Sequence, residues 1–249
     1  MRAWTVAVAV LCLAIASSGC LGSGGGLFGQ SGPRDYVSSE NYTKWVIEVD
    51  TIQGQGPPSG ALDFLKSRLA SVVNKPGGLD LLQDDTMPAR GGEWTDRDIA
   101  QYVDAHRGTN TGGNTVVTHL LFLDGHSEHD EDNARVLGVA YGHETIVLFA
   151  ESIASSCTIL ATNPCTNAAP VWRSVLVHEF GHTMGLVDNG IPMVTPHEDS
   201  SHPGHSSSQS SVMYWAVERS GLLSVFTGDP PNDYDAADRA DLCRAGGKC

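Results

Sequence analysis

The sequence predicts an α+β domain in which strands and helices share one chain. The run TVVTHLLFLDG, Thr115–Gly125, has the β-branched and apolar residues that are typical of a buried strand. The segment Ala61–Asn74 repeats leucine and valine at helical spacing, which favours an amphipathic helix. From Pro170 the pattern is helical and apolar on nearly all sides, so this helix is expected to be buried.

Local patterns predict the earlier elements in chain order. KWVIEVD, Lys44–Asp50, reads as a buried strand, and the GQGPPSG that follows it reads as a loop. After the first helix come a short strand at about Leu79–Leu82 and a helix at about Thr95–His106. Asp96 and Asp98 lie in the first turn of that helix, where acidic side chains are favourable.

Two further strands and a last helix complete the predicted domain. VLGVAYG, Val136–Gly142, and ETIVLFAES, Glu144–Ser152, have the composition of strands, and a tight turn at Gly142–His143 separates them. A final helix is expected over YDAADRADLCR, Tyr234–Arg244. Order is expected to begin near Tyr42, so the folded domain would cover residues 41–249.

The N-terminus predicts export. MRAWTVAVAVLCLAIASSGC has one Arg, a long apolar run and then small residues, as secretory signals do, so we expect a signal peptide over residues 1–19. Its end resembles a lipobox, in which Cys20 would be the lipid anchor. Ser17 stands where such boxes usually have Leu, so a plain secretory cleavage stays open. The Gly- and Ser-rich residues 20–40 are then expected to form a flexible, lipid-anchored tether.

The cysteine count agrees with export. Once the signal peptide is removed with Cys12 and Cys20 carries lipid, four cysteines remain, and an even number in an exported chain suggests disulfides. Each of two local pairs would close a short loop, whereas the sequence has no CxxC pair for a thiolate metal site. The expected pairs are Cys157–Cys165 and Cys243–Cys249.

The overall charge excludes one class of partner. The formal net charge is −14 at pH 7. A general nucleic-acid-binding protein needs a basic face that displaces phosphate counterions. We therefore expect no nucleic-acid partner, and we interpret the charge as a soluble acidic surface.

The segment VLVHEFGHTMGLVD, Val175–Asp188, carries the chemistry. His178 and His182 are four residues apart, so a helix places both imidazoles on one face, where a single divalent ion can bridge them. Glu179 has the position from which a carboxylate takes a proton from a water beside the metal. Because two histidines and a glutamate are costly inside a buried helix, a metal explains the trio better than core packing does.

Gly185 and Asp188 follow His182 at intervals of three residues. Gly185 can take the left-handed conformation that ends a helix, and the resulting turn is expected to bring Asp188 beneath the metal. Two imidazoles and one carboxylate leave a fourth position for water, which is the open geometry of a catalytic zinc site.

These residues resemble a known family. HEFGHTMGLVD is similar to the extended HExxHxxGxxH/D signature of the metzincin metalloproteases, and SVMYW, Ser211–Trp215, resembles their Met-turn. The predicted order of elements over residues 41–249 is also similar to a metzincin domain, apart from one extra helix. The resemblance implies a mixed, mostly parallel twisted sheet with an antiparallel edge strand, an active-site helix, a Met-turn and a C-terminal helix.

The resemblance also implies roles for particular residues. His178, His182 and Asp188 would bind Zn²⁺, Glu179 would be the general base, and Met213 would lie under the metal. Most metzincins have His at the position of Asp188, although the snapalysin-like group has Asp there.

The segment HEDSSHPGH leaves the third ligand open, because it offers three rival histidines, which are His197, His202 and His205. Trp215 occupies the position where astacins and serralysins have Tyr, so no tyrosine ligand is expected.

Two further features follow from the resemblance. The strand at Val139, Ala140 and Tyr141 would be the edge strand that pairs with an extended peptide substrate. The loop DGHSEHDEDN, Asp124–Asn133, corresponds to a stretch that binds ions in matrixins, so Ca²⁺ or a second Zn²⁺ can be expected there. Its candidate ligands are Asp124, His126, His129, Asp130 and Asp132, although a solvated acidic loop is the commoner reading.

The sequence therefore predicts an extracytoplasmic zinc-dependent endopeptidase, either a lipoprotein on the outer side of the membrane or a secreted protein. We expect a peptide or protein substrate, membrane contact only through lipidated Cys20, and a monomer. One alternative is a non-catalytic metal-binding surface lipoprotein with a protease-like fold, which would not need Glu179. Another is a thermolysin-like protease with Glu198 or Glu218 as the third ligand, which would leave Gly185 and the Met-turn without a purpose.

Overall fold

A central sheet with helices on both faces organises the chain. The computed structural model describes residues 31–156, 168–226 and 228–249. Their strands are β1 Lys44–Ile52, β2 Leu79–Met87, β3 Glu93–Trp94, β4 Thr115–Leu123, β5 His126–Ser127, β6 Gly138–Tyr141, β7 Thr145–Phe149, β8 Glu198–Asp199 and β9 His202–Ser206. Their α-helices are α1 Pro33–Val37, α2 Ala61–Val72, α3 Asp96–His106, α4 Ala150–Ser156, α5 Ala169–Thr183 and α6 Ala236–Arg244, and 3-10 helices cover Trp215–Glu218 and Ser220–Val225.

The main sheet has the strand order β2-β1-β4-β7-β6. β1 is parallel to β2 and β4, and β4 is parallel to β7. β6 runs antiparallel to β7, joined to it by the tight turn expected at Gly142–His143. The structure thus confirms an α+β fold whose mostly parallel sheet has an antiparallel edge strand.

Apolar side chains cover both faces of this sheet. Along β4, Leu120 and Phe122 belong to the core shared with α2 and α5, whereas Leu121 and Leu123 belong to a second core that includes residues of α3. Successive side chains of a strand point to opposite faces, so the two helical layers lie on opposite sides of the sheet. The extra helix α3 therefore has a packing role, because it closes the face that α5 does not cover.

Residues 31–40 differ from the flexible tether expected over residues 20–40. Pro33–Val37 form α1, and Tyr36 and Val37 are completely buried in the main core. The Nζ of Lys75 donates hydrogen bonds to the carbonyl oxygens of Ser38 and Tyr42, the second at 2.7 Å. The order therefore begins earlier than Tyr42, because a buried aromatic ring and a buried amine both hold this segment against the domain.

One of the two predicted disulfides lies within the described residues. Cys243 and Cys249 form the predicted disulfide, with Cα atoms 5.0 Å apart. The predicted pair Cys157–Cys165, the signal peptide and Cys20 lie outside the described residues. Within the described ranges, no helix combines the length and the apolar composition needed to cross a membrane.

Candidate metal centre

Helix α5 carries the histidine pair at the centre of the site. His178 is completely buried and Glu179 is 1% exposed, in agreement with a buried helix. The Nε2 atoms of His178 and His182 lie 3.0 Å apart, so the i, i+4 spacing does bring both imidazoles to one point. The Nδ1 of His178 donates to the carbonyl oxygen of Val212 at 2.7 Å, which leaves its Nε2 free to act as a ligand.

The Met213 side chain lies directly against α5 at Gly181. A Cβ added at Gly181 would stand 2.2 Å from the Sδ of Met213, so the close approach requires glycine at this position. Ser211 fixes the turn, because its Oγ accepts from the Met213 N–H at 2.8 Å and donates to the carboxylate of Asp238 at 2.6 Å. The turn is therefore anchored to α6 as well as to α5.

His205 completes the group from strand β9. Its ring lies 5.3 Å from that of His178 and 4.9 Å from that of His182, measured between ring centroids. The Ser206 N–H donates to the Met213 carbonyl at 2.8 Å, so β9 is held beside the turn. His205 is 7% exposed, and its Nε2 has no hydrogen bond of acceptable geometry.

Glu218 adds a carboxylate to the three imidazoles. Its Oε2 lies 3.3 Å from the Nε2 of His205 and 3.7 Å from the Nε2 of His178. The four ligand atoms of His178, His182, His205 and Glu218 all lie within 4.8 Å of one another. Burial opposes its charge, but the imidazoles of His205 and His178 outweigh that effect and hold the pKa of Glu218 well below its ordinary value.

Asp188 is not part of this group, which differs from the expected third ligand. Val187 and Asp188 both have a positive φ, 56° and 59°, and the Asn189 N–H closes the turn by donating to Leu186 O at 3.3 Å. The tight left-handed turn directs Asp188 to the surface, where it is exposed. Gly185 has the expected left-handed φ of 75°, but two more left-handed residues follow it and carry the chain away from the metal centre.

The two other rival histidines have different partners. His197 Nε2 lies 3.4 Å from Asp238 Oδ1 and 3.7 Å from Asp241 Oδ2, at the buried side of α6. His202 stacks on Trp215 with ring centroids 4.0 Å apart, and its Nδ1 lies 2.9 Å from Asp199. Of the three histidines in this segment, the structure brings His205 alone to the pair on α5.

Glu179 points toward the edge strand β6. A Cβ added at Gly138 would stand 2.7 Å from its Oε1, so the carboxylate fills the space that a larger residue would occupy. Neither carboxylate oxygen of Glu179 has a hydrogen bond of acceptable geometry. The backbone of Ala140 is nevertheless close enough to lower the pKa of Glu179 by a small part. Burial, and then the charge of Glu218, raise the pKa of Glu179 well above its ordinary value.

The donor set fits a divalent metal of the zinc type. Zinc–nitrogen bonds of roughly 2.0–2.1 Å in a tetrahedron put neighbouring ligand atoms about 3.3 Å apart. The observed separations of 3.0, 3.3 and 3.7 Å match that edge. Burial, and then the neighbouring His178, hold the pKa of His182 well below its ordinary value, so its imidazole is neutral and offers a lone pair. The Nε2 of His205 is buried without a hydrogen bond of acceptable geometry, and coordination of a metal would explain this.

The expected ion loop, Asp124–Asn133, does not gather its five candidate ligands. The Asp124 carboxylate accepts from the N–H groups of Arg90 and Gly91, at 2.7 and 2.6 Å, and so holds a neighbouring loop. Asp130 accepts from the Val136 N–H at 2.8 Å. His129 alone joins a group that could bind a metal, with Asp96 and Glu128, and that group is largely exposed. The structure therefore gives no support to a second Ca²⁺ or Zn²⁺ in this loop.

A second buried cluster lies under α3. His119 pairs with Asp50, and the carboxylate of Glu48 accepts from the N–H groups of Gly108 and Thr109, at 2.7 and 2.5 Å. The three side chains are completely buried. The bonds of Glu48 fix the loop after α3. The three side chains also form a group whose donor atoms could hold a metal, and the Nδ1 of His119 has no hydrogen bond of acceptable geometry.

The fold and the site together define a class. The chain is an α+β protein with a partly buried group of three histidines and one glutamate that can hold a divalent metal, and with a second glutamate on the same helix as the histidine pair. No known protein family matches its sequence, and no curated protein matches it. Among solved structures, the chain is similar to archaemetzincin from Methanopyrus kandleri, with 18% sequence identity, 82% of this chain and 96% of that chain covered, and a TM-score of 0.49.

Proposed function

We propose that this protein is a zinc-dependent endopeptidase. The observation that carries the proposal is the convergence of His178, His182 and His205 on one point, with the buried carboxylate of Glu179 on the same helix as the first two. His178, His182 and His205 would hold the zinc. When bound, zinc supplies a Lewis acid and lowers the pKa of water, which is the chemistry that peptide hydrolysis requires.

Glu179 has the features of a general base. Its raised pKa suits a group that takes a proton and later returns it to the leaving amine. Its carboxylate has no competing hydrogen bond of acceptable geometry that would hold it away from this task. Gly138 supplies the space in which the carboxylate lies, so the start of β6 shapes the site.

Strand β6 is the proposed binding edge for the peptide. It is an edge strand of the sheet, and its residues Val139 and Ala140 are only partly buried. A peptide that added to this edge would form main-chain hydrogen bonds and would pass Gly138, which contacts Glu179. We therefore propose an extended peptide segment as the substrate.

Export and lipid attachment at Cys20 are part of the proposal. They are supported by the sequence pattern of residues 1–20 and by the Cys243–Cys249 disulfide, because disulfides persist in oxidising compartments. The proposed location is the outer side of the membrane, where the domain would act as a monomer on peptides or unfolded proteins.

A non-catalytic metal-binding protein is the second candidate. The specific observation in its favour is Glu218, because a metal held by four protein ligands has no place for water and is typical of structural zinc sites. Glu179 favours the peptidase, since a structural site does not require a buried carboxylate beside the ligands.

Metal analysis and peptide cleavage distinguish these candidates. The purified protein should contain one zinc per chain, cleave an unfolded protein substrate, lose activity with a chelator and regain it with added zinc. The variant His129→Ala, in the exposed Asp96–Glu128–His129 group, is a matched control that should keep both zinc and activity. A zinc-loaded protein that cleaves none of a broad peptide library would contradict the peptidase and leave the binding protein.

A further inference from the structure

We propose that Glu218 is a fourth, displaceable metal ligand that closes the site in the resting protein and withdraws when a peptide binds. This inference rests on the zinc site of the proposed function. It gives Glu218 a role beyond that of the three histidines and Glu179.

The position of the carboxylate supports coordination. Its Oε2 lies 3.3 Å from His205 Nε2 and 3.7 Å from His178 Nε2, separations that suit two ligand atoms on the same ion. Within the described part of the chain, the ion pairs of this carboxylate are with His178 and His205. It is therefore placed as a ligand would be, at the corner of the donor set that His178, His182 and His205 leave open.

The surroundings of Glu218 allow its side chain to move. The side chain is 27% exposed, whereas those of His178 and His205 are 0% and 8% exposed, so the Glu218 side chain is nearer to solvent than these two histidines. Glu218 is the last residue of a single-turn 3-10 helix, and the next residue is extended, with φ −131° and ψ 128°. A side-chain rotation toward solvent is thus possible without any change in the buried histidines.

The backbone of Glu218 is tied to the proposed peptide-binding strand. Its carbonyl oxygen accepts from the Leu137 N–H at 2.9 Å, one residue before β6 begins. The Ser220 N–H donates to Arg135 O at 2.9 Å, so the chain around Glu218 runs alongside the segment that leads into β6. A peptide that approached β6 would therefore arrive next to Glu218, close enough to compete with its carboxylate.

Removing the carboxylate should change both metal affinity and coordination. We expect Glu218→Gln to bind zinc at least ~10-fold more weakly than the parent in competition with a chromogenic chelator. The cobalt-substituted variant should show a changed visible spectrum and a water that exchanges with solvent. Glu218→Asp keeps the charge but shortens the reach by one methylene, so weaker zinc binding in this variant would indicate coordination rather than charge alone.

Glu151→Gln is the matched control, because it removes the same charge from the exposed surface of α4 and should leave zinc affinity unchanged. Parental zinc affinity together with a parental cobalt spectrum in Glu218→Gln would overturn the inference. If the parent protein binds no zinc, the zinc site and the inference fail together. If the parent binds zinc but cleaves no peptide, the peptidase fails alone, and the cobalt spectra still decide the role of Glu218.

Discussion

His205 reaches the metal centre from a strand, although Asp188 is much closer to the histidine pair in sequence. Spacing favours Asp188, but backbone conformation decides against it, because Val187 and Asp188 are both left-handed and the side chain of Asp188 is exposed. The β8–β9 hairpin returns His205 to the site, and its neighbour Ser206 is hydrogen-bonded to Met213. The proposed third ligand is thus positioned by a tertiary contact.

The first prediction concerns this third ligand. His205→Ala should lose most bound zinc and all measurable peptide hydrolysis, because one of three imidazole ligands is removed. Asp188→Ala should keep about one zinc per chain and the parental rate, since this side chain is exposed. Zinc stoichiometry after dialysis measures both variants. Full zinc in His205→Ala, with loss in Asp188→Ala, would return the ligand role to the aspartate.

The second prediction separates the base from the ligands. Glu179→Gln keeps the shape of the side chain but cannot take a proton, so kcat for peptide hydrolysis should fall by ~10²–10⁴-fold. The zinc content should stay at the parental value, because Glu179 is not among the convergent ligand atoms. Parallel measurement of rate and metal content tests this, and parental cleavage by Glu179→Gln would exclude the proposed mechanism.

At the scale of elements, β6 and α5 meet at one glycine. A Cβ at position 138 would stand 2.7 Å from Glu179 Oε1, so Gly138→Ala must displace either the strand or the carboxylate. We expect hydrolysis to fall by at least ~10-fold, with a loss of stability of about 1–3 kcal/mol from overpacking. Gly112→Ala is the control, because no atom lies within 4 Å of the added Cβ. Equal rates for both alanine variants would mean that β6 does not shape the site.

Elements with a strong local pattern were predictable, and elements that depend on tertiary contacts were not. The sequence predicts β1, α2, α3, β4 and α5 to within a few residues, because an apolar run or an apolar periodicity marks each of them. α1 is only five residues long, too short for a periodic pattern, and the burial of Tyr36 and Val37 holds it in the core. β2 extends to Met87 because it pairs with β1, although most of its side chains are exposed.

The same division applies to the site. His178, Glu179 and His182 share one helix, so spacing alone brings them together. His205 and Glu218 come from separate segments. No local sequence pattern predicts how a Gly-, Pro- and Ser-rich loop folds back against α5. From the sequence, Glu218 is a candidate only as the third ligand of a thermolysin-like alternative. In the structure it ends the 3-10 helix that follows Met213 and lies with the three histidines.

At the scale of the whole molecule, an ion pair links the segment HEDSSHPGH, His197–His205, to the C-terminal helix α6. The contact of His197 with Asp238 is the main cause that raises the pKa of His197 to about 9. A histidine with a raised folded-state pKa contributes stability that is complete below its unfolded pKa of about 6.5 and is lost as the pH rises through the folded value. The loop should therefore be held most firmly at and below about pH 6.5.

We therefore predict that the free energy of unfolding falls between about pH 6.5 and pH 9. Urea titration at several pH values measures this fall. His197→Gln should weaken this dependence, because glutamine cannot form the ion pair with Asp238 and Asp241. His129→Gln is the control, since His129 pairs with Asp96 at the exposed surface. A parental pH profile in His197→Gln would show that this pair contributes nothing to stability.

The early start of the folded domain limits how far it can stand from a membrane. With α1 packed into the core, the chain between Cys20 and Ser31 consists of eleven peptide steps instead of the twenty or so that a tether to Tyr42 would supply. At most ~3.6 Å per residue, eleven steps span no more than about 40 Å, roughly the diameter of the domain itself. A domain anchored at Cys20 would therefore stay within about 40 Å of the bilayer surface. If Cys20 carries lipid, the domain would reach only those peptides that come within this distance of the bilayer.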